Sequence, residues 1–256
     1  MVFYYILCHH VLSDGLSGEL QVMTESDVAS HIRIERFHLA VRMNLLQFPL
    51  AEDEVRSVLE DAGYVWSADR TALLAGIPAA MRVVPSGMVA RSEDRECTFT
   101  LSPERGVLAL QGREIERVIG DFSKIQEGIK DRYIPDWESK AFFYEFLLDA
   151  NFKVSPERDP IKEMQELHKG SGVFEKLQEA LGVPVTTYGL RLAEKGVSPD
   201  GPHWLEYKVE PDVGKPRTDY LVNIIYRDDS LQTVIQECRQ ALEKTERILG
   251  ILRDER

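Results

Sequence analysis

Two segments of the chain alternate apolar and polar residues with a period of two. The first is short, and the apolar residues on one parity are Leu39, Val41, Met43 and Leu45. The second runs from Phe142 to Val154, with an apolar or small residue at every even position. Because successive side chains of a β-strand point to opposite faces, this alternation predicts two strands that each place one face on a core.

A proline-containing acidic turn and then a helical pattern follow each strand. Residues 52–62 predict a helix that ends at Gly63, and residues 172–181 predict one that ends at Gly182, because glycine is the usual C-terminal cap. Their matching apolar stripes are Val55, Val58 and Leu59 in the first helix, and Phe174, Leu177 and Leu181 in the second. The second strand is also followed by an extra helical stretch over about 160–169.

Short strand patterns come next in each part of the chain, separated by proline and glycine turn signals. They cover 81–84, 97–101 and 107–110, and later 185–192, 204–209 and 220–226. Each set ends in an amphipathic helix, at 115–129 and at 231–252. The elements therefore occur twice in one order, which predicts an α+β protein made of two tandem copies of a strand-helix-strands-helix unit. Each copy is expected to be an antiparallel sheet with helices on one face.

This order of elements divides the chain into an N-terminal arm at 1–30, a first repeat at 31–135 and a second repeat at 136–256. It is topologically similar to the TATA-binding-protein-like fold, in which each half is a strand, a helix, antiparallel strands and a final long helix. None of that family's sequence motifs is present, so the resemblance implies a fold and no function. The competing interpretation is that α+β proteins often alternate such elements without duplication.

The charge balance bears on the partners of the protein. The chain of 256 residues has 31 Lys plus Arg against 43 Asp plus Glu, a net charge of −12. This acidity disfavours charge-driven binding to nucleic acid or to an anionic membrane, although a local basic stripe would be sufficient for specific contacts. No segment approaches the roughly 18 apolar residues of a membrane-spanning helix. Three widely spaced cysteines without a CxxC pair fit a reducing compartment, so a cytoplasmic location is expected.

Catalytic, phosphate-binding and metal-binding motifs are missing from the sequence. The cluster Cys8-His9-His10 offers ligand types, but adjacent strand residues point to opposite faces and cannot ligate one ion together. Cys97 and Cys238 lie inside apolar patterns and are expected in the core. We therefore expect no metal and no cofactor, and a non-catalytic role is favoured over an enzyme.

Two surfaces are candidates for binding. Trp, Tyr and Arg, which are enriched at binding hot spots, concentrate with one histidine near the last strands: His203, Trp204, Tyr207, Arg217, Tyr220 and Arg227. The alternative is that Trp204 and Tyr220 are core aromatics. The last helix spaces its apolar residues alternately four and three apart, the seam of paired helices, and this predicts self-association through Ile248, Leu249 and Leu252. The alternative is that this stripe packs internally.

These patterns favour a non-catalytic binding or assembly module that acts through sheet or helix surfaces, with a protein partner or a second copy of the chain. One alternative is a small-ligand-binding protein or an enzyme, with a pocket between helix and sheet or between the repeats. The other is nucleic-acid binding by the concave sheet, which the net charge of −12 opposes.

Overall fold

The computed structural model describes residues 31–43, 52–66, 88–102, 105–134, 136–167 and 172–254. The strands in these ranges are β1 (Ile32–Met43), β2 (Tyr64–Trp66), β3 (Met88–Ser92), β4 (Thr98–Ser102), β5 (Val107–Gly112), β6 (Ala141–Lys153), β7 (Leu190–Ala193), β8 (Trp204–Pro211) and β9 (Asp219–Asp228). The helices are α1 (Glu52–Asp61), α2 (Ile115–Tyr133), α3 (Trp137–Lys140), α4 (Pro160–Glu166), α5 (Gly172–Leu181) and α6 (Leu231–Asp254). The predicted mixture of helices and antiparallel strands is confirmed.

All nine strands belong to one sheet, in the order β2-β3-β4-β5-β1-β6-β9-β8-β7. At its centre β1 pairs antiparallel with β6, and Leu39 lies opposite Phe146. Outward from this pair the strands follow in reverse chain order on both sides. Residues 31–135 and 136–256, called the first and second half below, therefore share one sheet, where the sequence led us to expect a sheet in each half.

Helices cover one face of this sheet. The alternate residues Phe37, Leu39, Phe146 and Leu148 of the central strands are fully buried. They belong to the same hydrophobic cluster as the buried residues of the long helices, such as Phe122 of α2. The unbroken alternation of β6 thus reflects its position at the centre of the sheet, with one face on the core.

The strand β1 begins earlier than the sequence pattern predicted. It starts at Ile32, and its pairing with β6 shifts register between Ile34 and Arg36. This shift adds one extra residue to β1. The apolar positions therefore change from even numbers, at Ile32 and Ile34, to odd numbers, beginning at Phe37. A search for one unbroken alternation therefore finds only the later part of the strand.

Other predicted elements differ in extent or lie outside the described ranges. Of the strand expected at 185–192, only Leu190–Ala193 forms β7. The strand expected at 81–84 and the arm at 1–30, with Cys8-His9-His10, fall among residues that the structure does not describe. None of the helices within the described ranges has the length and apolar content that crossing a bilayer requires.

The helices α1 and α5 have matching apolar stripes but different environments. Val55, Val58 and Leu59 of α1 are buried in the hydrophobic cluster. In α5 no residue is buried, and Leu177 and Leu181 are 44% and 62% exposed. In the second half α4 packs against β8 and α6, so the extra helical stretch is the part of this segment that contributes to the core.

Candidate binding surface

Among the described residues, the face of the sheet opposite the long helices α2 and α6, called the helix-free face below, has an apolar centre. Ala40 lies opposite Ala109, and Leu147 lies opposite Ile225 on the next strand. Ala40 and Ala109 are 3% and 4% exposed but do not belong to the hydrophobic cluster on the other face. Leu147 and Ile225 are partly exposed. These four residues form what we call the apolar strip.

Ion pairs lie beside the apolar strip on β1 and on the strands β6 to β9. They are Arg36 with Asp149, Arg227 with Glu145, Arg191 with Glu206, and Lys208 with Glu210. Three of the four join neighbouring strands, and the Arg191 and Lys208 nitrogens both lie 2.8 Å from their carboxylate oxygens. Because these cations are neutralised by carboxylates, the described part of this face has no continuous basic stripe.

Two of the residues predicted as a binding surface, Trp204 and Arg227, lie on this face, and His203 lies at the same end of the strands. Trp204 pairs across the strands with Arg227, and its side chain lies outside the hydrophobic cluster. The exposed His203 places Nδ1 3.3 Å from Oδ2 of Asp228. The structure thus brings His203, Trp204 and Arg227 to one end of β8 and β9.

The two predicted tyrosines point to the opposite, helix-covered face. Tyr207 is 6% exposed and Tyr220 is fully buried. The Tyr220 hydroxyl donates to Oε2 of Glu163 at 2.7 Å. Burial raises the pKa of both hydroxyls above the ordinary range. Tyr207 and Tyr220 are therefore core residues, as the alternative interpretation of the aromatics held for Tyr220.

The predicted residue Arg217 lies apart from the other members of the set. It precedes β9 and places Nη1 2.9 Å from Oδ2 of Asp159. Arg227 lies near the other end of the same strand, which separates the two arginines by about 30 Å at roughly 3.3 Å per residue. One small ligand cannot contact both side chains.

The residues predicted for self-association lie mostly inside the fold. Leu249 and Leu252 are 5% and 6% exposed in the hydrophobic cluster, and the partly buried Ile248 packs against it. The Leu249 carbonyl also accepts a hydrogen bond from Arg158 Nη2 at 3.0 Å. The outer side of the helix carries Ile251, which is 61% exposed. The seam spacing of α6 therefore serves internal packing at the two leucines.

Both described cysteines are buried, free thiols. Burial raises the pKa of Cys97 and raises that of Cys238 to about 12, which disfavours the thiolate form that nucleophilic catalysis uses. Within the described ranges, no three His, Cys, Asp or Glu side chains are grouped to hold a metal ion.

His38, which lies opposite Leu147 beside the apolar strip, should make stability depend on pH. Burial lowers its pKa below the ordinary 6.5, with Glu145 opposing the shift and Arg36 adding to it. The unfolded chain then binds this proton more tightly, so stability falls as the pH drops below about 6.5. His38→Gln should flatten this dependence down to about pH 5, above the range where carboxylates titrate. Urea denaturation of both proteins checks it, and equal slopes would contradict it.

The sequence patterns did not predict the apolar strip. In a strand with alternating residues, the apolar set is assigned to the core and the other set is assigned to solvent. The signal was nevertheless present. Leu147 and Ile225 are apolar residues that lie between polar or charged residues of the same parity, Glu145 and Asp149 on β6 and Asn223 and Arg227 on β9. Strand order then places them side by side, and this information lies outside any single segment.

No protein-family model matches the chain, and no curated protein matches it. Among solved structures, a TBP from Methanococcus jannaschii is 12% identical, with 84% of this chain and 98% of that chain covered and a TM-score of 0.32. The substrate-free duplicated taurocyamine kinase from Schistosoma mansoni is 8% identical, with 82% and 32% covered and a TM-score of 0.32. Similarity at this level supports no conclusion about function.

Proposed function

We propose that this protein is a non-catalytic binding module that docks a protein partner on the helix-free face of its sheet. The observation that carries the proposal is the apolar strip of Ala40, Ala109, Leu147 and Ile225 with ion pairs beside it on β1 and β6 to β9. Protein interfaces have this anatomy, with an apolar, charge-depleted centre and a polar rim. When one face of an antiparallel sheet only contacts solvent, the side chains on that face are usually polar on every strand.

The charges on this face favour a protein over a nucleic acid. Nucleic-acid affinity comes mainly from cations that neutralise phosphates. Here Arg36, Arg227, Arg191 and Lys208 are each paired with a carboxylate, and the whole chain carries a net charge of −12. A phosphate backbone would have to displace these carboxylates before it gained a contact.

The proposal includes a tandem duplication and a cytoplasmic location. The reversed strand order on both sides of β1 and β6 supports the duplication, and the free thiols Cys97 and Cys238 suit a reducing compartment. In an experimental structure, residues 36–130 should superpose on 140–252 over the first strand, the final long helix and at least three strands. Different topologies would refute the duplication, and fractionation of the source cells tests the location.

Site-specific photo-crosslinking tests the docking face and identifies the partner. A photoreactive residue replaces Leu147 in one variant and the exposed Ile251 of α6 in a matched control, and both are expressed in the source cells. We expect a discrete protein adduct at position 147, absent at 251, that mass spectrometry identifies. Adducts only with nucleic acid, or the same adducts at both positions, would refute the proposal. An adduct with a second copy of this chain would make the face a self-association surface.

A further inference from the structure

A cleft of about 390 Å³ lies where the two halves meet at one end of the central strands. The first half contributes Arg42 and Arg105 to its lining, and the second contributes Phe142, Phe143, Asp200 and Arg227. Small-molecule sites typically have volumes of about 300–1,000 Å³. The cleft is therefore large enough for a small organic ligand.

A glycine turn and a strand irregularity shape this cleft. Gly106 has a φ of +59°, and a Cβ there would lie 2.2 Å from the Met43 carbonyl oxygen. Only glycine allows this close approach, which brings the preceding Arg105 beside the end of β1. Arg42 of β1 pairs with Phe143 of β6, and Met43 pairs with Ala141. Phe142 of β6 is therefore left out of the pairing. Its ring is 60% exposed, because irregularities of this kind redirect side chains.

The arginines of the cleft have few acidic partners. Arg42 Nη1 donates to the Arg105 carbonyl oxygen at 2.5 Å, and the Arg105 guanidinium contacts no acid among the described residues. Arg227 is held by Glu145 and by the Pro199 carbonyl oxygen. Because Glu145 neutralises Arg227, the guanidinium groups of Arg42 and Arg105 are left facing one lining carboxylate, that of Asp200. The cleft is locally basic on a strongly acidic protein.

Aromatic rings supply the second feature of the cleft. The guanidinium carbon of Arg227 lies 5.1 Å from the centroid of the Phe143 ring, so this ring is already in contact with a cation. The exposed Phe142 has a free face, and aromatic rings bind other planar rings by offset stacking. The planar guanidinium fork of arginine matches the oxygens of a phosphate.

We propose that this cleft binds a small organic anion that carries a phosphate group and a planar aromatic ring. Arg42 and Arg105 bind the phosphate, and Phe142 stacks on the ring. Asp200 repels the phosphate from its side of the cleft and accepts hydrogen bonds from hydroxyl groups of the ligand. Nucleoside monophosphates are the simplest molecules of this class. The cleft adjoins the docking face proposed above and shares Arg227 with it.

Calorimetric titration of the full chain with adenosine monophosphate, adenosine and inorganic phosphate tests this proposal. We expect the monophosphate to bind more tightly than either fragment, because only it uses both features of the cleft. Arg105→Glu should weaken its binding by about tenfold or more, since an attraction becomes a repulsion. Phe142→Ala should weaken it by about fivefold and leave the binding of inorganic phosphate unchanged.

Arg91→Glu is the matched control, because Arg91 is an exposed arginine on β3, three strands away from β1. It should change the affinity by less than about twofold. Arg105 and Phe142 are both exposed, and thermal unfolding of each variant verifies its fold. No binding of the monophosphate at millimolar concentration would overturn the proposal, as would equal affinities in all variants. Tighter binding of a short single-stranded oligonucleotide would assign the cleft to a nucleic-acid strand instead.

Discussion

Replacing Glu163 by alanine is expected to lower the free energy of unfolding by about 3–5 kcal/mol. The Glu163 side chain is fully buried, and its oxygens lie 2.9 and 2.6 Å from Nε and Nη2 of Arg158. Tyr220 donates to the same carboxylate at 2.7 Å, and Arg158 also donates to the Leu249 carbonyl of α6. Removing the carboxylate leaves the largely buried Arg158 charge and the Tyr220 hydroxyl without this acceptor, and it removes the hydrogen bond that joins α4 to β9.

Urea denaturation of the two proteins measures this loss, with Glu243→Ala as the matched control. Glu243 pairs with Arg247 on the exposed side of α6, and its removal should cost less than about 0.5 kcal/mol because surface pairs contribute little. Tyr220→Phe should cost about 1 kcal/mol, the value of one hydrogen bond. A loss below about 1 kcal/mol for Glu163→Ala would show that the buried pair does not hold the second half together.

Replacing Leu59 by alanine is expected to cost about 2–5 kcal/mol, whereas the same change at Leu177 should cost less than about 0.5 kcal/mol. Leu59 of α1 is 1% exposed in the hydrophobic cluster, and Leu177 of α5 is 44% exposed. Alanine preserves the helical propensity at both positions. The difference between the variants therefore reports tertiary packing.

The same denaturation experiment decides between two arrangements of α5. Equal losses at positions 59 and 177 would show that α5 packs on the core as α1 does. A small loss of stability at Leu177 would agree with the structure, in which the stripe of Val173, Leu177 and Leu181 is exposed to solvent. The two helices have the same sequence pattern, so only such a measurement separates them.

Patterns within one segment predicted much of the fold. The alternation from Phe142 to Val154 located β6 to within one residue at each end, because that strand has one face on the core along its whole length. The amphipathic periods likewise located α2 and α6. By contrast, the register shift before Arg36 hid the start of β1, and the three-residue strand β2 is too short to show a period.

Features that depend on contacts between distant segments could not be predicted. Tyr207 and Tyr220 have the composition of a binding surface, but the register of β8 and β9 turns both towards the helices. The apolar strip and the cleft arise where strands from both halves become neighbours. Gly106 in particular gains its role from the carbonyl of Met43, which is remote in sequence.

Binding of a protein partner to the helix-free face can be measured as the affinity of the crosslinked partner for the purified protein. Leu147→Lys puts a charge on the apolar strip between Glu145 and Asp149 of the same strand, which favour the ammonium group. Ile251→Lys makes the same substitution at the exposed side of α6. We predict that Leu147→Lys weakens binding by about tenfold or more, whereas Ile251→Lys leaves the Kd unchanged. Equal affinities for the wild type and Leu147→Lys would contradict the account.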